Sequence, residues 1–371
     1  MQIPLRVIVL LRPSVAPGIL LAVGFSTLAI VTTPFVIGPV ADHYGVPLAS
    51  ASLIGVAQLS GFVIGSWGSG RWLRPRRRVF VAALALAVGA NLASALLPVF
   101  PVLIALRFAS GLALGLISWF AWVQVFGEEK GTSDVAVMGP VAGIISGPLI
   151  AVFAPGGADT LFAMLGAIAV VPLLFNAGTG AADRVPVRSA RSKPVPAASL
   201  ILIALGLFTL GGSSVFTFVV VLGGERAGLT VSTLALLFSI NSVAAVPATK
   251  WPWRRGWPAP YMLGTTACAL LVTNATARPL FAAAVVCWGF FFWMAVPGVF
   301  AALAARSANP ADRAGDAQAI MAGGRVIGPF LGGFVLDTFG SAALGLVGAT
   351  IMITAASVVF AVRSMVSPTD A

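Results

Sequence analysis

The chain has 371 residues, of which 59% are hydrophobic and only 9% charged, and its mean hydropathy is +1.02. A water-soluble domain carries about 25% charged residues, so this chain cannot cover a core with polar surface; a soluble fold, a disordered chain, a coiled coil and a secreted disulfide scaffold are excluded together. A net charge of +11 can mark a nucleic-acid binder, but here 19 Arg and 3 Lys fall mostly in short gaps between apolar runs, which is the pattern of membrane topology and leaves no nucleic-acid face.

A membrane helix needs about 20 mainly apolar residues, and twelve such runs follow one another along the chain. The first, 16–41, is too long for a signal-peptide core and lacks a cleavage site after it. It carries Ser26, Thr27, Thr32 and Thr33 and ends on Asp42 and His43. The second, 48–70, leads into a basic loop, GSGRWLRPRRRV, that contains Arg74, Arg76, Arg77 and Arg78. The third (79–99) and fourth (101–125) are separated by almost no loop, and the fourth carries Arg107, Gly111, Gly115, Trp119, Phe120, Trp122 and Gln124. The fifth, 135–154, contains GIISGPLIA with Gly143, Gly147 and Pro148, and the sixth spans 160–177.

The gap 179–197, rich in Pro, Ala and Arg, has no apolar periodicity and is expected to be a flexible linker. Six further runs follow: 198–222, 229–249, 259–277, 279–304, 318–338 and 340–362. The eighth offers Asn241, the tenth Trp288, Phe290, Phe291, Phe292 and Trp293, and the eleventh GRVIGPFLGG with Gly324, Arg325, Gly328 and Pro329. None shows the alternation in segments of about 10 residues that marks barrel strands. The expected fold is therefore an all-α integral membrane protein of twelve spans, with an N-terminal half over 1–178, a linker over 179–197 and a C-terminal half over 198–371.

With the N-terminus inside, 18 of the 22 basic residues fall in inner segments, two (Arg226, Arg278) in outer loops and two (Arg107, Arg325) within apolar runs. That bias predicts cytoplasmic termini, and the preference for Ala, Gly, Val and Arg over Lys suits the plasma membrane of a GC-rich bacterium. The halves share features at one spacing. Gly147 and Gly328 are 181 residues apart, and the basic loops at Arg76 and Arg254 are 178 apart, which argues for a duplicated six-helix unit related by pseudo-two-fold symmetry.

On these motifs the chain resembles a major facilitator superfamily transporter over its whole length, most closely the drug and metabolite exporter (antiporter) branch. The loop after the second run is similar to the family's G-x-x-x-D-R-x-G-R-R signature, with Trp72 where the family has Asp and Pro75 where it has the inner Gly. The segment from Arg107 through Gly111 to Gly115 matches its R-x-x-x-G-x-x-x-G pattern. Gly143, Gly147 and Pro148 match a G-x-x-x-G-P motif commoner in exporters, with Ala151 where a last glycine often stands. The resemblance implies alternating access about a midplane site lined by the first, fourth, seventh and tenth helices, monomeric function, and a link between Arg107 and proton coupling.

Arg107 lies about six residues, roughly 9 Å at 1.5 Å per residue, inside its run. A charge at that depth marks a substrate or coupling site by default, set against an arginine that binds neighbouring backbone carbonyls. Arg325 is deeper, and its repeat partner is Ile144, so symmetry does not explain it; a substrate or coupling role stands beside a pairing with Glu128, Glu129 or Asp134. No Asp or Glu lies in the middle of any run, whereas proton-coupled carriers usually bury one. Asp42, His43 and Asp337, all at run ends, are the nearest candidates. Two buried positives and no buried negative favour an anionic, zwitterionic or neutral solute. Gln124, Asn241, Trp119, Trp288 and Phe292 are the further candidate site residues. Trp288 and Phe292 share one face of the tenth run at four-residue spacing, and lipid contact is the alternative for each aromatic. The glycines are read as close-packing or rocking surfaces.

No G-x-x-x-x-G-K-[ST] loop is present, so ATP does not drive the chain directly. One histidine and two cysteines in apolar runs, Cys268 and Cys287, supply neither a catalytic set nor a metal cluster, and no cofactor or enzymatic activity is expected. The leading expectation is export of a small organic solute in exchange for protons. Uptake or facilitated diffusion is the second reading, and a non-transporting membrane sensor on the same fold the third.

Overall fold

A computed structural model describes residues 15–125, 129–175, 195–250, 257–307 and 310–364. Each apolar run coincides with helix, and no strand occurs among the described residues. In chain order the helices are α1 (Pro17–Tyr44), the single turn α2 (Leu48–Ala51), α3 (Leu53–Trp72), α4 (Arg77–Ala95), α5 (Phe100–Val125), α6 (Glu129–Phe153) and α7 (Ala158–Leu174). They continue with α8 (Pro196–Phe216), α9 (Val219–Ala227), α10 (Val231–Lys250), α11 (Ala259–Asn274), α12 (Arg278–Ala305) and α13 (Pro310–Ala361). Gly340, at φ 81°, breaks α13 into limbs 310–339 and 341–361. Only glycine takes that backbone conformation at low cost, which is why the last two runs are joined without a loop.

Among the described residues, nine stretches are long and apolar enough to cross a membrane, the last being the two-limbed Asp316–Ala361, and α7 is a shorter apolar helix. Large apolar side chains such as Ile64, Trp67, Leu174, Ile203 and Phe334 lie on the outside, as lipid-facing surface should. The polar groups inside are satisfied locally. Ser26 donates to the Ala22 carbonyl, Thr209 to Leu205 and Thr266 to Met262, each one turn back, because hydrocarbon offers no other acceptor. Many Ser and Thr of the apolar runs, among the described residues, are thus occupied by their own helices. The linker 179–197 falls mainly outside the described residues.

By packing, the chain forms two compact units. Unit 1 comprises residues 1–31, 60–143 and 159–187. Its core joins Ile19 and Ala22 of α1, Phe80 and Leu84 of α4, Ile117, Phe120 and Val125 of α5 and Val135 of α6, with Phe80 and Phe120 stacked at 4.8 Å. α3 and α5 touch backbone to backbone. A Cβ at Gly61 or Gly65 would strike the α5 main chain, and one at Gly115 the α3 main chain. Unit 2 comprises 32–59, 144–158 and 188–371. Within it the first limb of α13 lies along α8, where Gly324, Gly328 and Gly332 leave no room for side chains against Gly206, Leu210, Ser213 and Ser214. Small residues permit this approach and replace the hydrophobic drive that lipid cannot supply.

Candidate functional site

Arg107 belongs to unit 1 and is 1% exposed. One guanidinium nitrogen donates to Asn91 Oδ1 at 3.1 Å; the other donates to Asn91 Oδ1 at 3.1 Å, to Ser94 Oγ at 2.7 Å and to the Ala90 carbonyl at 3.2 Å. Its face lies 4.4 Å from the Phe162 ring of α7, within cation–π range. The arginine therefore ties α5 to α4 and α7 through dipoles and a ring, and Nε has no hydrogen-bond partner among the described residues. Asn91 and Ser94 were not singled out from sequence. The available signal was two polar residues three apart in an apolar run, hence on one helix face.

Arg325 belongs to unit 2 and is placed differently. Ile327, Phe330 and Phe334, all about half exposed, mark the outward stripe of the first limb of α13. At about 100° per residue, Arg325 points roughly 180° away from that stripe. The register is held by Ser213 Oγ of α8, which donates to the Gly324 carbonyl at 3.2 Å. The Arg325 guanidinium lies 5.9 Å from the Phe292 ring of α12, and Phe292 stacks on Phe208 of α8 at 5.9 Å and 15°. Among the described residues no carboxylate and no hydrogen bond engages it. Of the acids considered as its partners, Glu128 and the Glu129 side chain lie outside the described ones.

The aromatic set extends beyond the two rings expected. Trp288, nearly buried, meets Phe216 at 5.1 Å; Phe216 meets Phe238 of α10 at 5.2 Å; Phe238 meets Phe35 of α1 at 4.9 Å. Trp288 and Phe292 do share one face of α12, while Trp293 is 39% exposed on another and Phe291 covers Gly264 of α11. Beside this row the seventh apolar run is not one helix. α8 stops at Phe216, Phe218 leaves helical geometry at φ −102° and ψ 8°, and α9 begins at Val219. Membrane carriers place solute sites at such discontinuities.

The other candidates disperse. Asn241 donates to the Val285 carbonyl at 2.6 Å and fills the notch over Gly289, fixing α10 to α12. Trp119 packs against the unit 1 core, and Gln124 is half-buried near the end of α5. Asp42 and His43 are exposed, with the His43 ring against Tyr44. Gly111 is buried at the α3–α5 crossing, Gly143 is buried in α6, and Gly147 meets Ser239 and Ala235 of α10. Pro148 is exposed and Pro329 buried, both inside helices. The motif pair at Gly147 and Gly328 thus serves different neighbours, α10 and α8. Arg74, Arg76, Arg77 and Arg78 are exposed, and Arg77 and Arg78 line an open groove with Val81, Ala82 and Ala85. Of the two cysteines in apolar runs, Cys268 is buried and Cys287 lies on the exposed face of α12, where apolar character suits lipid as well as a core.

Asp337, at the end of the first limb of α13, is a more specific contact than its place at a run end suggested. Its carboxylate accepts from the backbone N–H of Leu48 at 3.3 Å and of Ala49 at 2.7 Å. It thereby caps α2, whose own N-cap, Pro47, offers no side-chain acceptor. Gly333, one turn earlier, lies against the Ala49 backbone. Ser239 and Ser232 of α10 likewise donate to the carbonyls of Ile144 and Ala151 in α6.

The Major Facilitator Superfamily profile matches residues 18–332. The chain belongs to the Major Facilitator Superfamily. Solved members share its fold at low identity. A mutant form of the nucleoside transporter NupG superposes with a TM-score of 0.76 at 11% identity, covering 93% of this chain and 98% of that one. A POT family transporter in complex with 5-aminolevulinic acid gives 0.71 at 14%, covering 93% and 95%. The human organic anion transporter MFSD10 gives 0.66 at 14%, covering 92% and 98%. No curated protein matches the chain by sequence. Membership makes the protein a multi-pass membrane transporter of the superfamily's type and not an enzyme.

Proposed function

We propose that this protein is a secondary active transporter of a small organic solute, working by alternating access in a plasma membrane. In this reading twelve spans form two six-helix halves, 1–178 and 198–371, joined by a cytoplasmic linker, with both termini inside. The halves record the duplication, whereas the two packing units describe which segments lie together in the state seen here. The observation that carries the reading is Arg325, a cation on the inward face of a membrane helix with no counter-ion among the described residues. It is set near the Phe292 ring, which stacks on Phe208.

Export in exchange for protons is the favoured direction. It rests on Gly143, Gly147 and Pro148 and their resemblance to the exporter motif, and on Asp337 as the acid placed to couple. In the proposed topology Asp337 lies at the outer end. A carboxylate holds the α2 N–H groups more strongly than a neutral acid does, so protonation from outside weakens that clasp and favours opening outward. Uptake or facilitated diffusion is the second reading, carried by the lack of Asp or Glu in the middle of any apolar run.

The test is counterflow into proteoliposomes with a labelled panel of a nucleoside, an amino acid, an aromatic anion and a lipophilic cation, with and without an imposed pH gradient. Antiport predicts accumulation of at least one solute that is driven by the gradient in wild type and that loses the drive, but not the counterflow, in Asp337→Asn. A gradient-independent exchange in wild type supports the facilitator instead.

A further inference from the structure

Arg325, Phe292 and Phe208 have more chemistry than a generic solute site requires. A guanidinium with no counter-ion among the described residues is costly in the middle of a membrane helix, and helix packing alone does not call for one, since the equivalent position of the first half is Ile144. Three facts locate its donors. The side chain points away from the outward stripe of α13. It is only partly covered, unlike Arg107. Among the described residues the one ring contact of its guanidinium is Phe292 at 5.9 Å, near the outer limit of a cation–π contact, and no hydrogen bond engages it, so the planar fork of N–H groups stays available for an oxyanion. The rings also face inward. Phe292 lies on the side of α12 opposite Leu280 and Cys287, both exposed, and Phe208 is fully buried.

We infer that Arg325 and Phe292, the latter backed by the buried Phe208 ring, form the binding site for an aromatic organic anion, the guanidinium taking the carboxylate, sulfonate or phosphate end and the Phe292 ring stacking on the flat apolar body. Trp288 and Phe216, joined at 5.1 Å, continue the aromatic surface along the same face of α12. The inference rests on the transport reading for its biological meaning, yet binding can be measured without transport.

The experiment is thermal stabilisation of the full chain in detergent by three matched, non-titrating probes: benzenesulfonate, benzenesulfonamide and benzyltrimethylammonium. Bound ligand raises stability by RT ln(1 + [L]/Kd), so the shift at fixed ligand concentration ranks the affinities. Benzenesulfonate is expected to stabilise the wild type and the other two far less. Arg325→Gln is expected to weaken benzenesulfonate binding at least about tenfold, the size of a lost hydrogen bond to a charged group. Arg325→Lys retains part of the affinity and guards against a folding failure of the first variant. Phe292→Leu is expected to weaken benzenesulfonate severalfold while leaving butanesulfonate nearly unchanged, a readout that general destabilisation would not give. Equal stabilisation by all three probes, none by benzenesulfonate, or indifference to Arg325→Gln overturns the site. Charge-selective binding without counterflow would sink the transport reading and leave the site standing. Counterflow of benzenesulfonamide without benzenesulfonate binding would do the reverse.

Discussion

Arg107 and Arg325 are the two basic residues inside apolar runs, and they have opposite surroundings. Arg107 is enclosed by Asn91, Ser94, the Ala90 carbonyl and Phe162; Arg325 meets one ring. Depth along a run is legible in sequence because rise per residue is fixed. Direction is not, because the rotation of a helix in its bundle is decided by neighbours far away in the chain. A substrate role for Arg107 needs free donors, and Asn91, Ser94 and Ala90 occupy both of its terminal nitrogens. Arg107→Ala removes these hydrogen bonds and opens a cavity, so it should cost about 2–4 kcal/mol in thermal unfolding. Benzenesulfonate binding at Arg325 should stay within about twofold of wild type. An unchanged melting temperature with lost binding would return Arg107 to the solute path.

At the scale of elements, the helices themselves were legible from hydropathy, since a bilayer admits few alternatives to helix. The division of the seventh run was not. No proline or glycine stands at Thr217 and Phe218, and the break shows only in the backbone geometry. The glycine motifs announced close packing but not with what, and Gly147 against α10 and Gly328 against α8 could not be told apart by a repeat argument. Gly147→Leu should abolish counterflow while leaving the chain membrane-inserted, because α10 backbone and the Ser239 side chain occupy the space; counterflow within about twofold of wild type would show that the α6–α10 crossing opens freely. The clasp at α2 yields a second expectation. Asp337→Ala leaves the Leu48 and Ala49 N–H groups without their acceptor, so the thiol of an Ala49→Cys reporter should be alkylated several times faster when Asp337→Ala is added. Equal rates would mean that the carboxylate holds nothing closed.

At the scale of the whole molecule, composition alone dictated a membrane protein, and the charge bias dictated the proposed orientation. The two outer exceptions have structural explanations. Arg226 donates to Ser341 Oγ at 2.8 Å and to the Asn274 carbonyl at 3.0 Å, and Arg278 donates to the Ala227 carbonyl at 3.2 Å. They bind neighbouring segments of their own end and need not follow the topology rule. An Arg76→Cys thiol should therefore be labelled only from the cytoplasmic side and a Glu225→Cys thiol only from outside, in a Cys268→Ser, Cys287→Ser background; the reverse pattern would invert the topology and place Asp337 inside.

A transporter must move its solute across the membrane. Counterflow of labelled benzenesulfonate into proteoliposomes preloaded with the unlabelled anion tests it most directly, because this permanently charged probe scarcely crosses lipid unaided. The account predicts a transient overshoot in wild type that is reduced at least about tenfold in Arg325→Gln, in line with the lost charge-assisted hydrogen bonds. Uptake no greater than in empty liposomes, from protein shown to bind benzenesulfonate, would contradict transport of this anion at its root.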